Sequence, residues 1–220
     1  MLHKTQGIVL SHIKYSESSI IARIYTSSFG LQSHMVNGVR SKSSKNKIAL
    51  FQPLTLTDLV VYHKPHGGIQ RISEIKLAYP YKAIPFDFKK ITVGIFLSEL
   101  LTKCLKEEEP NEDLYEFIYH SLILFDSLEE DFVHFHLQFI ARLSHFLGFG
   151  TERPEDVVPF HISTEERSLL QHILTHGYDH IQSSSSTRRI VLEHLLSFYA
   201  VHIANFGTLN SMEVLREIMS

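Results

Sequence analysis

GIVLSHIK (residues 7–14) and SIIARIYT (residues 19–26) decide how this chain starts to fold. Both stretches are short and rich in β-branched residues, and the polar Tyr15-Ser16-Glu17-Ser18 divides them. In the second, Ile20, Ala22 and Ile24 alternate with Ile21, Arg23 and Tyr25, so one side of an extended strand is more apolar than the other. Outward from this pair, Phe29-Gly30 predicts a tight turn into a third strand, Leu31–Val39. Leu54–Tyr62 reads as a fourth strand, and Pro65-His66-Gly67-Gly68 turns it back onto a fifth, Ile69–Leu77. Five short strands joined so closely suit a closed barrel, which leaves no sheet edge exposed.

Beyond about Phe86 the period becomes helical. Val93, Leu97, Leu100, Leu101 and Cys104 share one helix face, and the pattern stops at Lys106-Glu107-Glu108-Glu109-Pro110. Asn111 is a cap residue for a second helix carrying Leu114, Phe117, Ile118 and Leu122. A third runs from about Glu130 to Leu147. Ser163 and Glu166 form a capping box ahead of Leu169, Leu170 and Ile173. Thr187–Ile203 and Met212–Met219 complete the set, with Ser183–Ser186 as a flexible connector. The expected class is α+β: a five-stranded barrel of the oligonucleotide-binding type (OB-fold) over residues 1–80, then an all-helical domain over residues 81–220.

The charge divides at the same place. The 220 residues carry a net charge of −3, but residues 1–90 hold 13 Lys+Arg against 4 Asp+Glu and residues 91–220 hold 8 against 20. A basic barrel is suited to a polyanion, because neutralising phosphates releases condensed counterions. The single cysteine, Cys104, excludes an internal disulfide and a CxxC zinc site. The N-terminus enters a strand without a signal-peptide pattern, and no apolar run is long enough for a membrane helix, so a cytoplasmic protein is expected.

Arg40, Lys42, Lys45 and Lys47 fall within eight positions of one polar loop without an acid among them. Lys4, Lys14, Arg23, Lys64 and Arg71 lie on or beside strands, interspersed with Tyr15, Tyr25, Phe51 and Tyr62. Cations to hold a backbone and rings to stack bases are what single-strand binding requires. A strand tyrosine can equally serve the core. The repeat His172, His176, His180 offers a two-ligand spacing, but Gly177 ends the helix before His180 and no HExxH pattern accompanies it. Neither a metal nor another cofactor is expected. No GxSxG, Walker loop, GxGxxG or paired-carboxylate pattern occurs, and nothing argues for an enzyme.

Lys4-Thr5-Gln6-Gly7-Ile8-Val9-Leu10 followed by Tyr15-Ser16-Glu17-Ser18 resembles the opening of the bacterial RecO family. The resemblance continues through Tyr25-Thr26, Phe29-Gly30, Gly38-Val39-Arg40 and Leu50-Phe51-Gln52-Pro53-Leu54. It extends to Phe139-Ile140-Ala141-Arg142 with Leu147-Gly148-Phe149, and to Ser211-Met212-Glu213-Val214-Leu215-Arg216. It implies an OB-fold joined to a helical domain, in a recombination mediator acting in the cytoplasm at the nucleoid. Such a protein binds single- and double-stranded DNA and anneals complementary strands. With RecR it loads RecA onto DNA coated by single-stranded-DNA-binding protein (SSB), whose acidic C-terminal tail it recognises. Many members carry a four-cysteine zinc site, which this sequence lacks; packing is expected to replace it around Gly150–Ile162. Ile140 stands where the family motif has Glu.

An annealing protein holds strands by their backbone and leaves the pairing edges free, which suits diffuse cations. The acidic helical domain would confine DNA to the barrel. An acidic tail needs a cation beside apolar surface, and Arg142 among Phe139, Leu143 and Phe146 is the candidate. The alternative is an RNA-binding OB-fold protein without annealing activity.

Overall fold

The computed structural model describes residues 1–39, 47–64, 67–106, 108–129 and 132–218. The five strands are β1 (Leu2–Lys14), β2 (Ile20–Thr26), β3 (Gly30–Val36), β4 (Leu56–Tyr62) and β5 (Gln70–Leu77). They close in the order β1-β2-β3-β5-β4, all neighbours antiparallel except β3 and β5. This is the expected OB-type barrel. Two boundaries differ from the sequence reading by three residues or more. β1 begins five residues earlier, because Leu2–Gln6 pair with Asp58–Tyr62 of β4. β3 ends at Val36, and Val39 instead enters the barrel core with Ile48, Leu50 and Phe51 of a short 3-10 turn.

Alternation along the strands buries both sides. Val9, Ile20, Ala22, Ile24, Leu59 and Val61 fill the barrel interior. Ile8, Leu10, Tyr25, Leu31, Leu54 and Leu56 face outward and join the core of the helices. The register shifts between Val9 and Ser11, so Leu10 is a bulge; its carbonyl accepts from the buried Ser98 hydroxyl at 2.7 Å. The Gln52-Pro53-Leu54-Thr55 turn puts Leu54 at φ 65°, and Tyr81 donates its hydroxyl to the Leu54 carbonyl at 2.8 Å.

The helices are α1 (Phe88–Cys104), α2 (Glu112–Ser127), α3 (Phe135–Phe146, after a 3-10 turn at Phe132–His134), α4 (Pro154–Val157), α5 (Thr164–Thr175), α6 (Ser185–His202) and α7 (Met212–Ile218). Asn111 and Ser163 cap α2 and α5 as the patterns required. The serine run corrects the expectation of a mere connector: Ser184 caps α6 by accepting from the Thr187 amide at 3.0 Å. α1 starts at Phe88, close to the Phe86 where the helical period begins, and Asp87 caps it. In the segment 150–162, Val157, Val158 and Ile162 are buried, and Asp156 accepts from Thr151 at 2.6 Å and from Arg153 at 2.7 Å. Among the described residues no helix is long and apolar enough to cross a membrane, and no group of three His, Cys, Asp or Glu is placed to hold a metal ion.

Candidate nucleic-acid interface

β3 and β5 are paired at only two positions, His34 with Gln70 and Met35 with Arg71. Beyond them the strands separate, and the 3-10 turn fills the inner side of the gap. A concavity of about 490 Å³ remains outside, lined by Met35, Asn37, Lys47, Leu50, Arg71 and Ser73 among others. Lys47 and Arg71, far apart in the chain, therefore face one groove.

Register extends this surface around the barrel. Ile13 opposes Ile21, Ile21 opposes Met35, Met35 opposes Arg71, Arg71 opposes Tyr62, and Tyr62 opposes Leu2. Residues directly opposite across strands share a face, so these six form one outward row. Ile13 is 63% exposed, Leu2 54% and Tyr62 48%. Tyr62 is thus an exposed residue directly across the register from Arg71, an arrangement the strand pattern alone did not reveal. Lys14 and Tyr15 follow Ile13 at the end of β1, and both are exposed. The exposed Lys64 is anchored through its backbone: its amide donates to Gln70 Oε1 at 3.0 Å, and Gln70 Nε2 donates to its carbonyl at 3.3 Å. Arg23 stands between Ser11 and Ser33 in the adjacent outward row.

Other expected contacts lie elsewhere. Lys4 opposes Val60, which opposes Glu74, while Gln6 binds Asp58 and Asp58 opposes Lys76, so Lys4 sits in a patch of mixed sign. Tyr25 is corrected: it is 3% exposed, packs with its ring centroid 6.1 Å from that of Tyr115, and burial pushes its phenol up to about 12. It cannot stack a base. Arg40, Lys42 and Lys45 lie outside the described residues.

On the helices, Arg142 and Phe146 line a groove of about 500 Å³ with Phe117, Leu124 and Tyr178. The guanidinium carbon lies 6.0 Å from the Phe117 ring centre and 5.6 Å from that of Tyr178. The Phe117 and Phe146 rings stack at 4.5 Å, and Tyr178 donates to Ser121 at 2.7 Å, so the groove is built from fixed rings. Asp113 and Glu116 form its acidic rim. Phe139 and Leu143 are corrected to core positions, each wholly buried. Leu143 directly follows Arg142 and Phe139 precedes it by three residues, so composition does not separate them from the groove positions. The His172 and His176 rings stack at 4.3 Å, but α5 ends at Thr175, so the pair does not share a helix face.

A family model described as recombination protein O N terminal matches residues 1–81, and one for its C terminal matches residues 85–156. The DNA repair protein RecO of Flavobacterium psychrophilum is 35% identical over 99% of both chains. That of Phocaeicola vulgatus is 33% identical over 100% of both, and that of Bacteroides fragilis 32% over 99%. Barrel, helices and full-length similarity agree: the chain belongs to the RecO family of DNA repair proteins.

Proposed function

We propose that this protein is a recombination mediator that binds single- and double-stranded DNA and anneals complementary strands without catalysing a covalent step. With RecR it helps RecA replace SSB on single-stranded DNA, in the cytoplasm at the nucleoid. The observation that carries this reading is the pairing of Arg71 with the exposed Tyr62 beside the groove that Arg71 shares with Lys47. Cations there hold phosphates while a ring supports a base face, and no side chain is required to read base edges. Lys14, Arg23 and Lys64 add charge to the same barrel surface, and Lys4 adds to a neighbouring patch of mixed sign. The barrel, residues 1–80, serves DNA; the helical part, residues 81–220, serves partners. Arg142 takes a carboxylate of the SSB tail, with the ring Phe146 as apolar support.

Annealing of complementary oligonucleotides, naked and SSB-coated, tests the reading. The protein is expected to accelerate both, less so as salt rises. Replacing Lys47 and Arg71 by Ala slows both and lowers the salt slope of single-strand binding by about 0.7 per lost phosphate contact. Arg142→Ala slows only the coated reaction. An unaccelerated reaction, or one indifferent to salt and to the barrel cations, overturns the proposal. Equal behaviour of Arg142→Ala and wild type on coated strands removes Arg142 from it.

A further inference from the structure

The serine run opens α6 onto a second basic site, remote in kind from the barrel groove. Ser184 is the cap, and Ser185 and Ser186 are the first helical residues. Amides in these positions have no acceptor within the helix, and the helix dipole puts partial positive charge there. A cavity of about 130 Å³ lies against this end, walled by His136, Ser185, Ser186, Arg188, Arg189 and Arg216 with Leu192 and Leu215. Three of the eight Lys+Arg in residues 91–220 thus converge on one cavity, in a half that carries 20 Asp+Glu.

A buried side chain in the wall points to a ligand independently. His136 is 2% exposed, and its Nδ1 has no hydrogen-bond partner among the described residues. Phe96 meets the ring edge-on at 6.2 Å between centroids. Burial, and after it the charges of His134 and Arg188, lower its pKa to about 3, so the ring is neutral and retains one N–H to donate. Arg188 Nη1 donates to the Ser183 carbonyl at 2.8 Å, Arg216 Nη2 pairs with Glu193 at 2.8 Å, and Ser186 Oγ meets Ser184 Oγ at 2.8 Å.

We propose that this cavity binds a phosphate group, as the free ion or as a terminal phosphomonoester. Arg189 and Arg216 supply charge, the Ser185 and Ser186 amides donate, and His136 closes the inner wall. Guanidinium forks and helix amides converging from several elements suit a tetrahedral oxyanion, whereas a planar carboxylate is satisfied by one fork. The volume is that of roughly four waters, enough for such a group. This site does not depend on the barrel's role with DNA.

The test is thermal unfolding of the full chain in inorganic phosphate against chloride at equal ionic strength. At tenfold saturation a Tm rise of about 3–5 °C is expected. Arg189→Gln, at an exposed position, leaves the unliganded Tm nearly unchanged and removes most of that rise. The His136 imidazole resonances move with phosphate in the wild type and stay fixed in Arg189→Gln. Short duplexes with 5′-phosphate or 5′-hydroxyl ends separate the sources. A 5′-phosphate preference lost in Arg189→Gln assigns the site to phosphomonoester ends. Equal binding of the duplexes, together with the phosphate-dependent Tm rise, assigns it to the free ion. No rise over chloride overturns the proposal, as does a rise that persists in Arg189→Gln with the His136 resonances unmoved.

Discussion

At Gly7 the family motif Lys4-x-x-Gly7-Ile8-Val9-Leu10 acquires a physical reason. A Cβ there would meet Ile24 Cγ2 at 2.6 Å and Leu59 Cδ1 at 2.8 Å, both inside the barrel. Gly7 pairs with Thr26 on one side and Thr57 on the other, so the crowding comes from both neighbouring strands. Gly7→Ala should lower stability by about 1–3 kcal/mol through overpacking, partly offset by the smaller entropy of the unfolded alanine chain. Urea unfolding checks this: the midpoint falls while the slope is unchanged. An unaltered midpoint would mean that the barrel interior yields freely. Gly7 was legible as a strand residue, but its crowding arises from Ile24 and Leu59, which no local pattern places beside it. The same limit hid the orientation of Tyr25: alternation shows that it opposes Ile24 across the strand, not that α2 covers that side.

Between elements, two buried charges hold what the loops alone could not. Asp126 at the end of α2 accepts from the amides of Lys82 at 2.8 Å, Ala83 at 2.9 Å and Ile84 at 2.9 Å, and from the Tyr79 hydroxyl at 3.3 Å. It thereby fixes the segment that leads from the barrel into α1. Lys90, 2% exposed, donates Nζ to the carbonyls of Phe125 at 3.0 Å, Asp126 at 3.1 Å and Leu128, closing the C-terminal end of α2. Although burial acts to raise the Asp126 pKa, the three amides and the Tyr79 hydroxyl together hold it below its usual 3.8. A carboxylate depressed in the folded state contributes stability above its unfolded pKa and loses it as pH falls through the folded value. Asp126→Asn should therefore cost about 1–3 kcal/mol near neutral pH, since an amide oxygen replaces only part of the acceptor set. The gap to wild type should narrow below about pH 4, read from urea midpoints between pH 7 and 2.5. A gap constant over that range would assign the loss to packing rather than charge. Asn111 and Ser163 were legible as caps because their partners lie three residues away. Asp126 and Lys90 act across some 35 to 47 residues, and sequence spacing carries no trace of that.

At the scale of the molecule, the composition break near residue 80 was legible, but the continuity of the core across it was not. Ile8, Leu10, Tyr25, Leu31, Leu54 and Leu56 of the barrel belong to the same cluster as Val93, Leu97, Leu100 and Tyr115 of the helices. The outward face of β1 thus serves as one wall of the helical core, and the Ser98–Leu10 bond crosses the same junction. Burying these barrel side chains only when the helices are present couples the stability of the two halves. The full chain is expected to unfold in one cooperative transition. Cys104, partly buried on α1, reports on the helices, because burial pushes its thiol up to about 12 and lowers its reactivity in the folded state. Amide exchange of β2 reports on the barrel. In urea, thiol labelling of Cys104, loss of β2 protection and far-UV dichroism should share one midpoint, and Leu10→Ala should move all three together by about 2–4 kcal/mol. Labelling of Cys104 at urea concentrations where β2 remains protected would show two units instead. The coupling ties the barrel that carries the Arg71 groove to the helices that carry the Arg142 groove.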